Sequence, residues 1–151
     1  MKVKEPLQDD LKRTMMSLEQ GKKVVQQFWD DFSAGDFEGA FQLLADDIVL
    51  TVQGSHGLSG TYRGKDELRS KVLEPELELI EPLKVTVQEL IAEGNTVVCL
   101  AAGSTRAKKT GKPYNNQYAM VYRIRNGKIA EIIEYLDTAL TETVMFGKTL
   151  V

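Results

Sequence analysis

A carboxylate at the end of a predicted strand is the first candidate for chemistry in this 151-residue chain. The run "NGKIAEIIEYLDTAL", residues 126–140, ends its apolar part at Asp137. In an apolar pocket, desolvation raises the pKa of such a carboxylate from about 3.9 and suits it to remove a proton beside a carbonyl. Alternatively, Asp137 caps the segment "TALTET". Strict alternation gives Asp137 the same face as Tyr135 and Ile133, and a bulge would shift that register by one residue.

Amide and phenol side chains cluster in "YNNQY", residues 114–118. Alternation puts Asn116 and Tyr118 on one face of a strand. A buried amide or phenol costs about 1–3 kcal/mol if it is left unpaired. These side chains are therefore predicted either to form an internal polar network or to contact a substrate. Tyr135, on the predicted face of Asp137, is a further candidate for ligand contact.

The single histidine, His56, lies in the glycine-flanked loop "GSHGLSG". Such a loop histidine is either a plain surface residue or part of a pocket lid. Its ordinary pKa near 6.5 would make it the acid/base partner of Asp137. One histidine and one cysteine predict no metal site, because the zinc-ligand spacings are missing. The glycine-rich stretches also lack a nucleotide-binding pattern, so no cofactor is predicted.

The first strong helical pattern places aromatic side chains on one face. Val25, Phe28, Trp29 and Phe32 recur with the spacing i, i+3, i+4, i+7. "SLEQ", residues 17–20, has the form of a capping box and predicts that this helix begins at Ser17. Residues 1–16 are then a flexible or loosely docked arm, and 17–151 form one domain. Trp29 and Phe32 are predicted to line a cavity or to belong to the core.

The remaining patterns predict a mixed α+β domain. A second helix begins after Gly35, and "DDIVLTVQG" follows as a strand. "GLSGTYRGKDEL" is predicted to be a loop leading to a short helix at 66–73, and "PELELIEP" an acidic connector. Four antiparallel strands then follow, the last two joined by a type I′ turn at "NGK". This order predicts a curved antiparallel sheet wrapped around N-terminal helices.

Composition and charge exclude several classes of protein. The net charge of −3 does not indicate a surface for nucleic acid or an anionic membrane. No apolar run approaches the roughly 20 residues of a membrane-spanning helix. The N-terminus lacks the apolar core of a signal peptide, and Cys99 has no possible disulfide partner within the chain. A cytoplasmic location is therefore predicted.

Three segments together resemble the nuclear-transport-factor-2-like superfamily. These are "FWDDFSAGDFEGAFQLLADDIVLTV", "SGTYRGKDEL" and "GKPYNNQYAMVYRIRNGKIAEIIEYLDT". The last is similar to the closing hairpin of the SnoaL-like branch, which includes polyketide cyclases and relatives of ketosteroid isomerase. The resemblance implies a cone-shaped α+β fold whose open end leads to a mostly apolar pocket.

The resemblance carries over unevenly to individual residues. The catalytic aspartate of ketosteroid isomerases corresponds to about Val52, and their oxyanion-hole tyrosine to a position near Phe28, neither of which can do that chemistry. The Arg-x-Asp pair of limonene epoxide hydrolases falls within "AAGS" and is missing. Asp137 is the best match to the late acid/base residue of SnoaL-type cyclases.

Two hypotheses follow. The first is a cofactor-free isomerase or cyclase that binds a small, mostly apolar carbonyl compound, with Asp137 as the base and Asn116, Tyr118 or His56 stabilising the enolate. The second is a non-catalytic ligand-binding or protein-interaction domain, which would be favoured if Asp137 points to solvent. The late strands have apolar residues at both odd and even positions, which indicates that both faces of the sheet are partly buried. One face can pack on the helices and the other on a second copy of the chain, so a homodimer is predicted.

Overall fold

The computed structural model describes residues 5–151 of the chain. Two helices come first, α1 (Glu5–Ser33) and α2 (Phe37–Gln42), followed by strands β1 (Leu44–Val52) and β2 (Gly60–Arg63). A helical stretch consists of α3 (Lys65–Leu68), a π-helical turn (Arg69–Leu73) and α4 (Glu74–Leu79). Strands β3 (Lys84–Glu93), β4 (Thr96–Ser104), β5 (Gln117–Arg125) and β6 (Lys128–Leu136) complete the sheet. The chain continues with α5 (Thr138–Leu140) and a π-helical turn (Thr141–Met145).

The six strands form one curved, unclosed sheet in the order β2-β1-β6-β5-β4-β3. All neighbours are antiparallel except β1 and β6, which are parallel. The predicted α+β architecture, with a curved sheet around N-terminal helices, is confirmed. β6 is therefore paired on both sides, and side chains on its inner face point into the most enclosed part of the domain.

A bulge in β6 decides which of its side chains face inward. The hairpin turn has the predicted type I′ geometry, with φ of 51° at Asn126 and 71° at Gly127. Ile124 pairs with Ile129, but the next pair is Arg123 with Glu131, so Ala130 is an extra residue in β6. Beyond this bulge, the inward face switches from odd-numbered to even-numbered residues.

The start of α1 differs from its prediction. The helix already includes Glu5, the first described residue, and Ser17 lies in its interior, so the predicted capping box at Ser17 is wrong. Side chains from residue 6 to residue 17 are exposed, and burial begins at Gly21. That residues 1–16 form an arm outside the domain stays a prediction, and residues 1–4 lie outside the described part.

Two further segments were mispredicted from their glycines and prolines. The supposed loop around "GTYR" contains strand β2, which pairs with the end of β1 from Val49 to Val52. The supposed acidic connector contains α4, with Pro75 at its N-terminus. Both corrections matter for the site, because α4 covers one side of the concave face of the sheet.

The aromatic face of α1 packs on that concave face as predicted. Val25 is fully buried, and Phe28 and Trp29 are almost fully buried. The Trp29 Nε1–H donates to the Tyr122 hydroxyl at 2.7 Å, and the Tyr122 O–H donates to the Met120 sulfur at 3.3 Å. Within residues 5–151, no helix is long and apolar enough to cross a membrane. The cytoplasmic location stays a prediction.

Candidate functional site

A cavity lies between α1, the helical stretch 65–79 and the concave face of the sheet. Its free volume is about 90 Å³, several times the space that one ordered water needs. Most of its wall is apolar, and three side chains give it polar character: Glu76, Tyr118 and Glu134. The predicted positions of Trp29 and Phe32 agree with this wall, because both line the cavity. An apolar pocket with a few convergent polar groups is the usual form of a small-molecule site.

Glu134 reaches the cavity because of the bulge at Ala130. On β6 it lies between the inward residues Ile132 and Leu136, and it pairs with Met120 of β5 and Val52 of β1. Both partner side chains are buried and apolar. Glu134 is therefore a single carboxyl group in an apolar stretch of the concave face.

Glu76 enters the same cavity from the opposite side. It lies on α4, three residues after the buried Leu73 and four after Val72, so helical spacing puts these three side chains on one face. Among the described residues, no donor hydrogen-bonds to the carboxylate of Glu76 or Glu134, and no cation pairs with either.

Burial raises the pKa of both carboxyl groups. The pKa of Glu134 rises from 4.5 to about 7 because the apolar wall disfavours its charged form. The pKa of Glu76 rises to about 8 for the same reason, with repulsion from Glu134 as a second cause. Because the two charged forms also repel each other, the pair keeps one proton near neutral pH when the other carboxyl group is ionised. One site thus holds a carboxylic acid and a carboxylate together, as acid/base catalysis requires.

Tyr118 lies beside this pair. Burial, followed by the proximity of Tyr114, Glu134 and Glu76, raises its pKa above the ordinary value of 10.0. Its phenol is protonated at neutral pH and can donate a hydrogen bond inside the cavity. Tyr118 lines the cavity, and its contact with a substrate stays a prediction.

A smaller chamber of about 40 Å³ adjoins the cavity. The two spaces share four wall residues, namely Val72, Glu76, Tyr118 and Glu134. The smaller chamber is further lined by His56, Tyr114 and Thr141. It is the more polar of the two, and the carboxyl pair stands at the boundary between them.

His56 is buried in this chamber, with 6% of its surface exposed, and is not a surface residue. Its Nδ1 accepts a hydrogen bond from the backbone N–H of Leu58 at 3.2 Å. Burial lowers the pKa of His56 below 6.5, although Glu142 and the Gln53 carbonyl act in the opposite direction. The imidazole is therefore neutral near pH 7. Asp137 and His56 share no hydrogen bond in the described part of the chain, and their acid/base partnership stays a prediction.

Asn116 belongs to an internal polar network, the first of its two predicted alternatives. Its Nδ2 donates to the Tyr114 hydroxyl at 3.0 Å, to the Asp137 carbonyl at 3.1 Å and to the Thr141 hydroxyl at 3.2 Å. Its Oδ1 accepts from the backbone N–H groups of Gln117 and Asp137. Since all its polar atoms are occupied, Asn116 ties the start of β5 to α5 and has no free group for a ligand.

Asp137 has the geometry of a helix cap. Its side chain accepts a hydrogen bond from the backbone N–H of Leu140 at 3.0 Å, and the residue is exposed. The carboxylate does not line the cavity, so its predicted placement there is corrected. Tyr135 is likewise on the outer face of the sheet, 50% exposed, and does not line the cavity. The bulge at Ala130 explains both corrections, since strict alternation from the turn would have turned these residues inward.

Glu76 and Glu134 were not among the predicted site residues. The sequence signal for Glu134 is its place in "IIEYL". It alternates with the apolar residues Ile132 and Leu136, so the three side chains share one face of the strand. The signal for Glu76 is its helical spacing from Val72 and Leu73. No group of three or more His, Cys, Asp or Glu side chains within residues 5–151 is arranged to hold a metal ion.

Comparison with known proteins finds chains that are similar in sequence and chains that are similar in structure. An uncharacterized protein of Mycobacterium tuberculosis (strain ATCC 25618 / H37Rv) is 26% identical over 121 residues, which is 80% of this chain and 92% of the relative. An NTF2-like protein of unknown function from Burkholderia pseudomallei K96243 superposes with a TM-score of 0.75 at 23% identity, over 83% of this chain and 97% of that one.

Two further structures share the fold at lower identity. TerC, co-crystallized with polyporic acid, has a TM-score of 0.74 at 18% identity, over 84% of this chain and 98% of TerC. A candidate SnoaL-like polyketide cyclase from Jannaschia sp. CCS1 has a TM-score of 0.73 at 13% identity, over 87% and 94% of the two chains. The model of the SnoaL-like domain matches residues 25–132. The chain therefore belongs to the SnoaL-like family and has the nuclear-transport-factor-2-like fold.

Proposed function

We propose that this protein binds a small, mostly apolar carbonyl compound in its cavity and catalyses proton transfer on it without a cofactor. The observation that carries the proposal is the pair Glu76 and Glu134, two carboxyl groups with raised pKa values in one apolar cavity. An ionised carboxylate there is a stronger base than in water, and its protonated neighbour is an available acid. TerC, which has the same fold, was crystallised with a small organic molecule.

The proposed reaction uses both members of the pair. The Glu134 carboxylate removes a proton from the carbon beside the carbonyl, and the electron pair of that C–H bond forms the C=C bond of an enol. The carbonyl oxygen takes up a proton from Glu76, whose own carboxylate is then left ionised. Return of a proton to a different carbon completes an isomerisation, as the enol O–H gives its proton back to Glu76. Attack of the enol carbon on a second carbonyl completes a cyclisation, in which the new alkoxide takes the proton held by Glu134 and the enol O–H gives its proton back to Glu76. Glu134 thus takes the role that the sequence suggested for Asp137.

Enolisation is tested directly by isotope exchange. The hydrogens beside the carbonyl of 1-indanone should exchange with deuterium oxide faster when the protein is added, and NMR measures the rate. The double variant Glu76→Gln/Glu134→Gln should bring the rate back to the level without protein. Trp29 fluorescence reports whether the ligand is bound, since its ring lines the cavity. Bound ketone with no acceleration by the wild-type protein would reject the catalytic proposal.

A non-catalytic binding role for the same cavity is the second candidate. The solvent-facing position of Asp137 favours it, because the acid that best matches SnoaL-type cyclases is outside the cavity. This candidate predicts that 1-indanone changes the Trp29 fluorescence in wild-type protein and in the double variant alike, with no isotope exchange in either. The exchange experiment therefore separates the two candidates.

We also propose that the chain forms a homodimer through the outer face of its sheet. Cross-strand pairs place Val98 beside Val121, and Val121 beside Ile133. Ile91 and Tyr135 extend this apolar surface and are each about half exposed. Light scattering at tens of micromolar should give the mass of a dimer for the wild type and of a monomer for Val121→Asp. Val151→Asp, at the exposed C-terminus, is the matched control, and a monomeric wild type would reject the proposal.

A further inference from the structure

Two buried polar atoms, one of them on a side chain that lines the smaller chamber, have no hydrogen-bond partner within residues 5–151. They are Nε2 of His56 and Oε1 of Glu142. Buried polar atoms in folded proteins are nearly always paired, so two such atoms in one neighbourhood indicate that something binds there. His56 lines the smaller chamber, and Glu142 directly follows Thr141, which also lines it. The Phe146 ring connects the two side chains, since it lies beside the His56 ring and beside Lys148, which pairs with Glu142.

The neutral ring of His56 presents a hydrogen-bond donor. Because the Leu58 N–H donates to Nδ1, that nitrogen is the unprotonated one, and Nε2 carries the hydrogen. The Gln53 carbonyl and Glu142 are close enough to His56 to favour its protonated form, and Lys148 and the Phe146 ring also face it. None of these groups makes a hydrogen bond of normal geometry to Nε2 in the described structure. Nε2 therefore lacks a hydrogen-bond acceptor, and an oxygen atom of a ligand can supply one.

Glu142 presents the complementary acceptor. Its Oε2 is paired with the Lys148 ammonium at 2.9 Å, and Oε1 is the atom left without a donor. A hydroxyl group can satisfy both unpartnered atoms, because its oxygen accepts from Nε2 and its hydrogen is donated to Oε1. A carbonyl oxygen can satisfy only the first.

We propose that the smaller chamber binds the hydroxyl group of a small alcohol or enol, with His56 as donor and Glu142 as acceptor, while the apolar body of the ligand occupies the larger cavity. This inference rests on the proposed function and sharpens it. The oxygen of the ligand lies where the two spaces meet, within reach of Glu76, and the carbon that exchanges its proton faces Glu134. His56 is then a residue that determines specificity, with no proton to transfer.

Three ligands of one shape test the proposal. Indane, 1-indanone and 1-indanol differ only in their oxygen, and calorimetry measures their affinities for the full chain. We expect the alcohol to bind about tenfold more tightly than the hydrocarbon, which is the usual gain from one hydrogen bond in a dry site, and the ketone to lie between them.

Two substitutions of His56 separate its two nitrogens. Asn places an acceptor near the position of Nδ1, so it keeps the bond to Leu58 and loses the Nε2 donor. Gln places its amide near the position of Nε2, so it keeps the donor and loses the bond to Leu58. Therefore His56→Asn should abolish the preference for 1-indanol over indane, and His56→Gln should keep most of it.

The outcomes distinguish this inference from the function on which it rests. Equal binding of indane and 1-indanol by the wild type would overturn the inference, and a bound water would then satisfy His56 and Glu142. The isotope exchange of 1-indanone would be unaffected by that result. If instead His56→Gln loses the preference and His56→Asn keeps it, the turn at Leu58 is what matters and the inference is wrong. Failure of all three ligands to bind would reject both proposals.

Discussion

Glu134 and Asp137 are three residues apart on the same segment, yet their carboxyl groups have opposite environments. Glu134 has apolar neighbours on both flanking strands and no hydrogen-bond donor within the described residues, and its pKa rises to about 7. Asp137 is exposed and accepts a hydrogen bond from the backbone of the helix that follows. The same functional group is therefore suited to proton transfer in one place and acts as a structural cap in the other. The difference between them is desolvation, which raises the free energy of the ionised form of Glu134 and leaves the carboxyl group itself unchanged.

The largest expected effect comes from removing each carboxylate in turn. Glu134→Gln should lower the protein-catalysed exchange of 1-indanone by about 10²–10⁴, the usual contribution of a general base. Asp137→Asn should leave the rate per folded molecule unchanged, because that carboxylate does not reach the cavity. NMR exchange rates normalised to folded protein check both. The opposite ranking would restore Asp137 as the base and break the comparison.

The next effect concerns how stability depends on pH. A carboxyl group whose pKa is raised on folding binds its proton more tightly in the folded state, so stability falls as pH rises from about 4.5 through the folded pKa values of about 7 and 8. Between pH 5.5 and pH 8.5 the pair should lower the unfolding free energy by several kcal/mol, on the order of 5. Urea unfolding at these two values should show that loss for the wild type.

The matched variants sharpen this result. Glu76→Gln/Glu134→Gln should show a much smaller difference between the two pH values, since neither amide titrates. Asp137→Asn should keep the wild-type difference. A double variant with the full wild-type dependence would show that the two buried carboxyl groups are not the titrating ones.

The smallest expected effect is at the cap. Asp137→Ala should lower the unfolding free energy by about 1 kcal/mol, because the Leu140 N–H loses its acceptor. Asp137→Asn should lower it less, since asparagine is also a good capping residue. Urea midpoints measure both changes. Equal stability of wild type and Asp137→Ala would show that the cap contributes nothing.

Features set by local periodicity could be predicted from the sequence. The aromatic face of α1, the type I′ turn and the meander of late strands all follow from spacing and turn residues within a few positions. Which of Glu134 and Asp137 faces the cavity could not be predicted, because it depends on a bulge at Ala130 that no residue type in this stretch indicates. Alternation counted from the turn gives Asp137, and alternation counted after the bulge gives Glu134.

Glu76 was missed for a different physical reason. Pro75 and Pro82 suggest an irregular connector, but a proline also fits the first turn of a helix, and Pro75 begins α4 in this way. The early start of α1 shows the same ambiguity, because "SLEQ" fits a helix interior as well as a capping box. Local sequence signals of this kind indicate which structures a segment can adopt, and long-range packing determines which of these structures forms.

The bulge at Ala130 also bears on how this hairpin can change in length during evolution. Loss of Ala130 alone would leave Arg123 opposite Glu131 and keep every later pair, so the acid at position 134 would still face inward. Loss of Ile133 would instead move each following residue by one place and exchange the inner and outer faces. A relative one residue shorter is therefore expected to carry its gap at the bulge. Alignments of this family should place it there before residues of the last strand are compared.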